Sequence, residues 1–336
     1  MVSVVVVGCA QPKGQGSGAT TTGNQIAAGP KKLVAAIRGN PKFASAVLNR
    51  GGGGRIDGGP ELGGLSSSGL SVQGASGEFL AALSERLPTV ENGLWKVFPD
   101  GRMETSYTIV NGATWHDGTP LTADDVVFTS KLSGDTEMPW LPEPVLRYVE
   151  RVEAPDSRSV RVLWKEPFIR PHLLDFNPSF PRHILEAQYG ADKEAFLNLP
   201  YWTTEFVGTG PFKVKEFARD SHIQMTAFDR YPLGRPKIDE IEVRFITDDN
   251  ALGANVLAGT VQATLGAGIT VEQGIQIRDR WPEGTMRTGP SGWININPQF
   301  LNPDPPVLLN VQFRRALYMA VDRQRLADEL TYGLSR

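Results

Sequence analysis

Asp124 and Asp125 stand side by side, as a carboxylate pair for general acid–base work would. His116 beside Asp117 has the make-up of a metal or proton-transfer site. Each has a plainer structural reading. Adjacent residues on a helix point in different directions, and carboxylates in a first helical turn are favoured by the helix dipole, so capping accounts for Asp124 and Asp125. The histidines are His116, His172, His183 and His222, and no two share the short helical spacing of a metal site. A place on the surface or at a core rim is expected for each. Gly208-Thr209-Gly210 looks like a phosphate loop but lacks the GxxxxGK(S/T) frame and leads into a strand, so it reads as a turn. No G-x-S-x-G elbow is present. No catalytic residue, metal site or cofactor site follows from these patterns.

Cys9 is the only cysteine, which excludes a disulfide framework and a cysteine-based metal cluster. It closes the apolar run Val4–Gly8, as the cysteine of a bacterial lipoprotein signal does, and lipidation at Cys9 is expected. The alternative is a short buried strand with a free thiol. The basic start of a signal is missing and the run is short. No stretch approaches 18 consecutive apolar residues, so no membrane-spanning helix is expected and attachment would be through lipid on Cys9 alone. With a net charge of −3 and no dense Lys/Arg cluster, nucleic acid is not an expected partner.

The elements that would position these residues can be read in part. At 336 residues two or more cores are expected. Residues 1–29 read as a signal remnant and a small, polar, glycine-rich tether. Leu33–Ile37 is a first strand. The glycine-dense region with Gly51–Gly54 and Gly58-Gly59 reads as a long loop. Phe79-Leu80, Leu83 and Leu87 fit a helix face or an irregular core segment. Trp95–Phe98, the turn Pro99–Gly101 and the Tyr107–Val110 strand make a hairpin. Asp117-Gly118 is a turn, and Thr122 with Asp125 forms a capping-box-like helix start. Ser159–Trp164 and Ile241–Phe245 alternate as strands. Gly210–Phe217 and His222–Phe228 form a hairpin with Phe212, Val214, Ile223 and Met225 inward. Asp248 or Asp249 caps a helix closed by Gly259, and Phe313–Leu330 reads as one helix. Trp140 sits between prolines in a loop. Ser291–Asn297 reads as a strand with Trp293, Asn295 and Asn297 on one face. The fold class is mixed α/β.

Four stretches, in order, resemble the family 5 extracellular solute-binding proteins, the dipeptide, oligopeptide and nickel receptors of ABC importers. They are Thr114–Leu132; Phe206–Val214 with its GTGP turn; Asp229–Ile241 with Leu257–Gln262; and Phe313–Arg323. Gln262 stands where an acidic residue is usual. The resemblance implies a type II periplasmic-binding-protein clamshell with an inserted extra domain. Residues 30–58 and 200–265 would form the split first lobe and 59–199 the inserted domain. Residues 266–336 would begin a second lobe that stops early, leaving apolar surface exposed. It implies a monomeric periplasmic or extracytoplasmic receptor, not an enzyme. Such a receptor captures peptides, or a nickel chelate or sugar, and passes them to an ABC permease in the cytoplasmic membrane. It implies Trp140 and Trp293 as ligand contacts, with Ser291 and Glu61 behind them, since aromatic walls accept varied side chains. A secreted hydrolase acting on peptides or glycans, or a clamshell signalling receptor, are the alternatives.

Overall fold

The computed structural model describes residues 2–7, 29–50, 56–74, 77–138, 144–169, 171, 180–266, 268–290 and 297–333. The chain forms two compact units, one of Met1–Gln15 with Asp248–Arg336 and one of Gly16–Thr247. The apolar run read as a leader or a strand is a strand, β1 (Val2–Val7), in the first of these units. Cys9 lies outside the described residues.

The larger unit opens with β2 (Lys32–Ile37), whose last three residues are fully buried. The glycine-dense stretch expected to be loop throughout holds a helix, α1 (Gly59–Ser66). Pro60 sits in its first turn, where a missing N–H is harmless, and Gly58 enters the helix at φ 81°. Close contact explains the glycine inside it, because a Cβ on Gly63 would lie 2.6 Å from that of Ala46. After β3 (Ser71–Gln73) comes β4 (Phe79–Ala81), paired with it, so Phe79-Leu80 belongs to a strand and not to a helix face. The alternation of a half-buried Phe79 with an exposed Leu80 has the strand period.

Next come β5 (Trp95–Val97), β6 (Met103–Thr108), α2 (Ala123–Ser133), β7 (Val149–Glu153) and β8 (Ser159–Trp164). The strands form one antiparallel sheet in the order β5-β6-β8-β7. Met103, Thr105 and Tyr107 alternate inward opposite Val160, Val162 and Trp164. The buried Trp164 indole donates to Thr105 Oγ1 at 3.0 Å, which removes the cost of an unpaired N–H. Helix α2 packs on this sheet through Ala123 and Val126, and Trp115 is wholly buried in the same core. Helices α3 (Arg182–Ala191) and α4 (Lys193–Leu197) follow; Asp192 caps α4 by accepting from the Glu194 and Ala195 amides at 2.8 and 3.1 Å.

The unit closes with β9 (Phe212–Ala218), β10 (His222–Ala227) and β11 (Glu240–Phe245). The central β10 runs antiparallel to both β9 and β11, and β11 pairs in parallel with β2, Lys32 facing Glu240 and Ile37 facing Phe245. Phe212, Ile223 and Met225 point inward as expected, but Val214 is only half-buried and Phe217 takes a core place. A bulge opposite Gln224/Met225 shifts the alternation of β9 by one residue.

In the smaller unit, β1 pairs antiparallel with β13 (Thr285–Pro290) along its whole length and with β12 (Ala263–Thr264) at Val7. Two helices accompany these strands. Helix α5 (Asp249–Leu257) is capped by Asp248, which accepts from the Ala251 amide at 2.7 Å, and α6 (Val271–Arg280) by Thr270. The segment expected as one helix over Phe313–Leu330 is two, α7 (Val311–Ala320) and α8 (Arg323–Thr331). Val321 is extended between them, and the Asp322 carboxylate starts the second helix by accepting from the Arg325 amide at 3.0 Å. Among the described residues no helix is long and apolar enough to cross a membrane.

Candidate functional site

Two of the motifs singled out in the sequence meet in the larger unit, and His116 joins them. The turn at Asp117-Gly118 returns the chain so that Trp115 N–H donates to Thr119 O at 2.9 Å, which leaves His116 turned into the interior. There its Nε2 lies 2.9 Å from Gly210 O, and its Nδ1 accepts from the Gly208 amide at 3.2 Å. The His116 amide completes the clasp by donating to Gly208 O at 2.9 Å. Only one neutral tautomer satisfies both ring contacts, with the proton on Nε2 and the lone pair on Nδ1. Burial holds the imidazole in that neutral form, with its pKa down to about 4; Lys213 adds to the effect, while the Gly210 bond and Asp117 oppose it. His116 is therefore a buried staple and not the surface or rim residue expected. Desolvation of a ring with both nitrogens bonded gives the reason.

The Gly208–Gly210 turn is fixed on its other side by the end of α1. Thr209 Oγ1 donates to Ser68 O at 3.0 Å and accepts from the Ser68 amide at 3.1 Å, and the Gly210 amide donates to Ser66 O at 3.0 Å. Backbone meets backbone there. A Cβ on Gly208 would lie 2.0 Å from Ser66 O, and one on Gly210 would lie 2.4 Å from Ser67 N. Glycine is required by this close approach, with no phosphate involved. Ser68 Oγ in turn lies 2.8 Å from Tyr231 OH, so the third stretch of the pattern also reaches this junction.

The paired acids divide as capping predicts. Asp125 is buried and accepts from the Thr122 amide and hydroxyl at 2.9 and 3.0 Å, and from the Arg182 amide at 3.0 Å, tying the start of α2 to that of α3. Asp124 faces outward against Arg182 at 3.0 Å. Among the remaining imidazole contacts, Gln224 Nε2 lies 3.4 Å from His222 Nε2, and two shorter ones stand out. His183 Nε2 lies 2.7 Å from Asp117 Oδ2, and Ser221 Oγ lies 2.9 Å from His222 Nδ1. Among the described residues neither contact is part of a nucleophile, base and orienting acid in sequence, and no group of three His, Cys, Asp or Glu is placed to hold a metal ion.

Of the expected ligand contacts, Glu61 lies in the first turn of α1, exposed, on the helix whose far end the Gly208–Gly210 turn grips. Trp140, Ser291 and Trp293 lie outside the described residues, as does His172. Among the described residues the arrangement supplies a hydrogen-bonded junction and no reactive group. The signal for it was present in the sequence as two turn motifs, but nothing in their spacing says that they touch.

The profile described as "Bacterial extracellular solute-binding proteins, family 5 Middle" matches residues 91–336. A Brucella ovis protein named as an ABC transporter peptide-binding protein is 26% identical over 318 residues, covering 90% of this chain and 58% of the relative. The oligopeptide-binding protein AppA of Bacillus subtilis is 31% identical over 164 residues, 48% of this chain and 30% of that protein. The chain thus spans little more than half the length of the curated relatives it matches. Among solved structures, the oligopeptide-binding protein of Thermus thermophilus complexed with a pentapeptide superimposes with a TM-score of 0.66 at 24% identity, over 76% of this chain and 48% of that one. At that identity the likeness establishes the fold, the mixed α/β architecture of type II periplasmic binding proteins.

Proposed function

The chain belongs to the family 5 bacterial extracellular solute-binding proteins, and from that premise we propose that it serves peptide import as the capture component of an ABC transporter outside the cytoplasm. The observation that carries this reading is the similarity, over 90% of this chain, to a protein named for peptide binding. The partners are a peptide and a permease in the cytoplasmic membrane. The proposed lobes are 30–58 with 200–265, an inserted domain at 59–199, and a second lobe from 266. The sheet that joins β2 to β9, β10 and β11 supports the first of these, and the self-contained sheet of β5 to β8 supports the second. Ligand held between lobes favours the closed form only by its differential affinity, and moving a hinge from mostly open to mostly closed takes roughly 5 kcal/mol.

Trp140 and Trp293 are the proposed side-chain contacts, with Ser291 and Glu61 beside them. Attachment through lipid on Cys9 is a finer proposal, in competition with β1, because a leader cleaved before Cys9 would remove Val2–Val7 from the sheet. The N-terminal mass of the protein recovered from a membrane fraction decides between the two.

Uptake of labelled di- to pentapeptides by cells with and without the gene tests the transport reading. Loss of uptake on deletion, restored by the gene and weakened by Trp293→Ala, is the expected result. Unchanged uptake of every peptide pool overturns it.

A further inference from the structure

The chain contains two Asn-Gly steps outside the residues already discussed, Asn92-Gly93 and Asn111-Gly112, and both asparagines are exposed. Both glycines have positive φ, 72° at Gly93 and 76° at Gly112, and the two steps differ in their hydrogen bonds. At the first, Asn92 Oδ1 accepts from the Thr89 and Leu94 amides at 2.9 and 3.0 Å, and Nδ2 donates to Leu87 O at 2.8 Å. The Gly93 amide is also engaged, donating to Val90 O at 3.1 Å. At the second, neither the Asn111 side chain nor the Gly112 amide has a hydrogen-bond partner among the described residues. Gly112 stands at φ 76° in a four-residue turn closed by the Ala113 amide on Val110 O at 3.2 Å. Beyond their chain neighbours, neither Gly93 nor Gly112 has an atom within 4 Å of where a Cβ would be, so crowding does not separate the two steps and hydrogen bonding does.

We infer that Asn111-Gly112 is a site of spontaneous deamidation and that Asn92-Gly93, the same dipeptide in the same fold, is protected. The Gly112 backbone nitrogen loses its proton to base and attacks Asn111 Cγ. The new C–N bond closes a five-membered succinimide as the Cγ–Nδ2 bond breaks, and ammonia leaves with the proton. Water then opens the ring. Attack at the Cγ carbonyl gives aspartate, and attack at the former peptide carbonyl gives isoaspartate, with the main chain rerouted through Cβ. The net change is amide plus water to carboxylate plus ammonium, with no oxidant or reductant. At Asn92 the amide is held by three hydrogen bonds and the attacking nitrogen's hydrogen is engaged, so ring closure requires the turn to open first.

The product matters to the fold. Val110 is tied to Leu83 O through its amide at 2.9 Å, and Ala113, buried in the core of the larger unit, receives the Leu121 amide at 3.0 Å. An isoaspartate adds a methylene to the main chain and a charge between these two anchors, just ahead of the stapled motif.

The full chain is incubated in mildly alkaline buffer, digested with trypsin and mapped by mass spectrometry, with isoaspartate read by enzymatic methylation. The two steps fall in separate peptides, Leu87–Lys96 and Met103–Lys131. The expected result is deamidation of the second peptide at Asn111 at least tenfold faster than of the first, with isoaspartate in excess, and abolished by Asn111→Gln. In urea the two rates converge. Equal rates in the folded protein, or a difference that survives in urea, overturns the proposal, since the fold would then not be what protects Asn92. Ageing should also lower the melting temperature of the wild type and leave that of Asn111→Gln unchanged.

Discussion

Helix α2 and the pair α7 and α8 are started by the same local chemistry and meet opposite surroundings. A side-chain cap opens each: Thr122 with Asp125 for α2, Asn310 for α7, which accepts from the Gln312 and Phe313 amides at 2.8 and 3.2 Å, and Asp322 for α8. Helix α2 then buries Ala123, Val126, Phe128 and Leu132. No residue of α7 is buried, and in α8 only Thr331 is. Phe313, Leu317, Leu326 and Leu330, within the segment read from the sequence as one helix, remain 38–52% exposed. A cap fixes where a helix begins, but tertiary burial supplies most of its stability, and the two regions show these contributions separately.

Truncating one leucine in each region gives the widest contrast. Leu132→Ala, at a wholly buried site, is expected to cost about 2–5 kcal/mol in urea unfolding, whereas Leu317→Ala should stay within about 0.5 kcal/mol. Equal costs would mean that the α7 stripe is covered in solution, and the contrast would be lost.

Acid should act on the stapled region through His116. The pKa of His116 is about 4 in the folded protein and its ordinary value is 6.5, so the folded state favours the neutral ring. The stability it contributes is fully present above pH 6.5 and is lost as pH falls from there towards 4, a total of roughly 3 kcal/mol. Urea midpoints measured across that range should fall for the wild type and fall less for His116→Ala. Parallel slopes would remove His116 as the cause.

Smaller effects belong to the exposed helices. Asp322→Ala removes the cap of α8 and should cost about 1 kcal/mol, visible as a loss of helical circular dichroism and absent in Asp322→Asn. Leu317→Glu with Leu326→Glu should reduce binding of a hydrophobic dye with little change in unfolding midpoint; unaltered dye binding would place the apolar surface elsewhere.

How far the sequence discloses this structure varies with the kind of signal. Ser159–Trp164 and Glu240–Phe245 alternate, and Thr122 and Asp248 announce their helices, because each depends only on its neighbours along the chain. Helix α1 is hidden by glycines that look like loop residues, of which Gly63 is required by its close approach to Ala46. The break between α7 and α8 was legible at Asp322, a good cap in mid-helix, but a continuous apolar periodicity outweighed it. The His116 staple joins positions more than 90 residues apart, and no local pattern carries such a pairing. The ligand contacts were the least legible. Their roles came from resemblance, and only Glu61 lies among the described residues.

The parallel pairing of β2 with β11 joins residues 208 apart in the chain, as the Lys31 amide on Asp239 also shows. During translation the first of these strands leaves the ribosome roughly 10–40 s before its neighbour at ordinary elongation rates. Throughout that interval Leu33 to Ile37 is an apolar segment with no ladder to join, open to chaperones, to translocation machinery or to other nascent chains. A polypeptide that cannot close its central sheet until late is one that an export pathway can still thread.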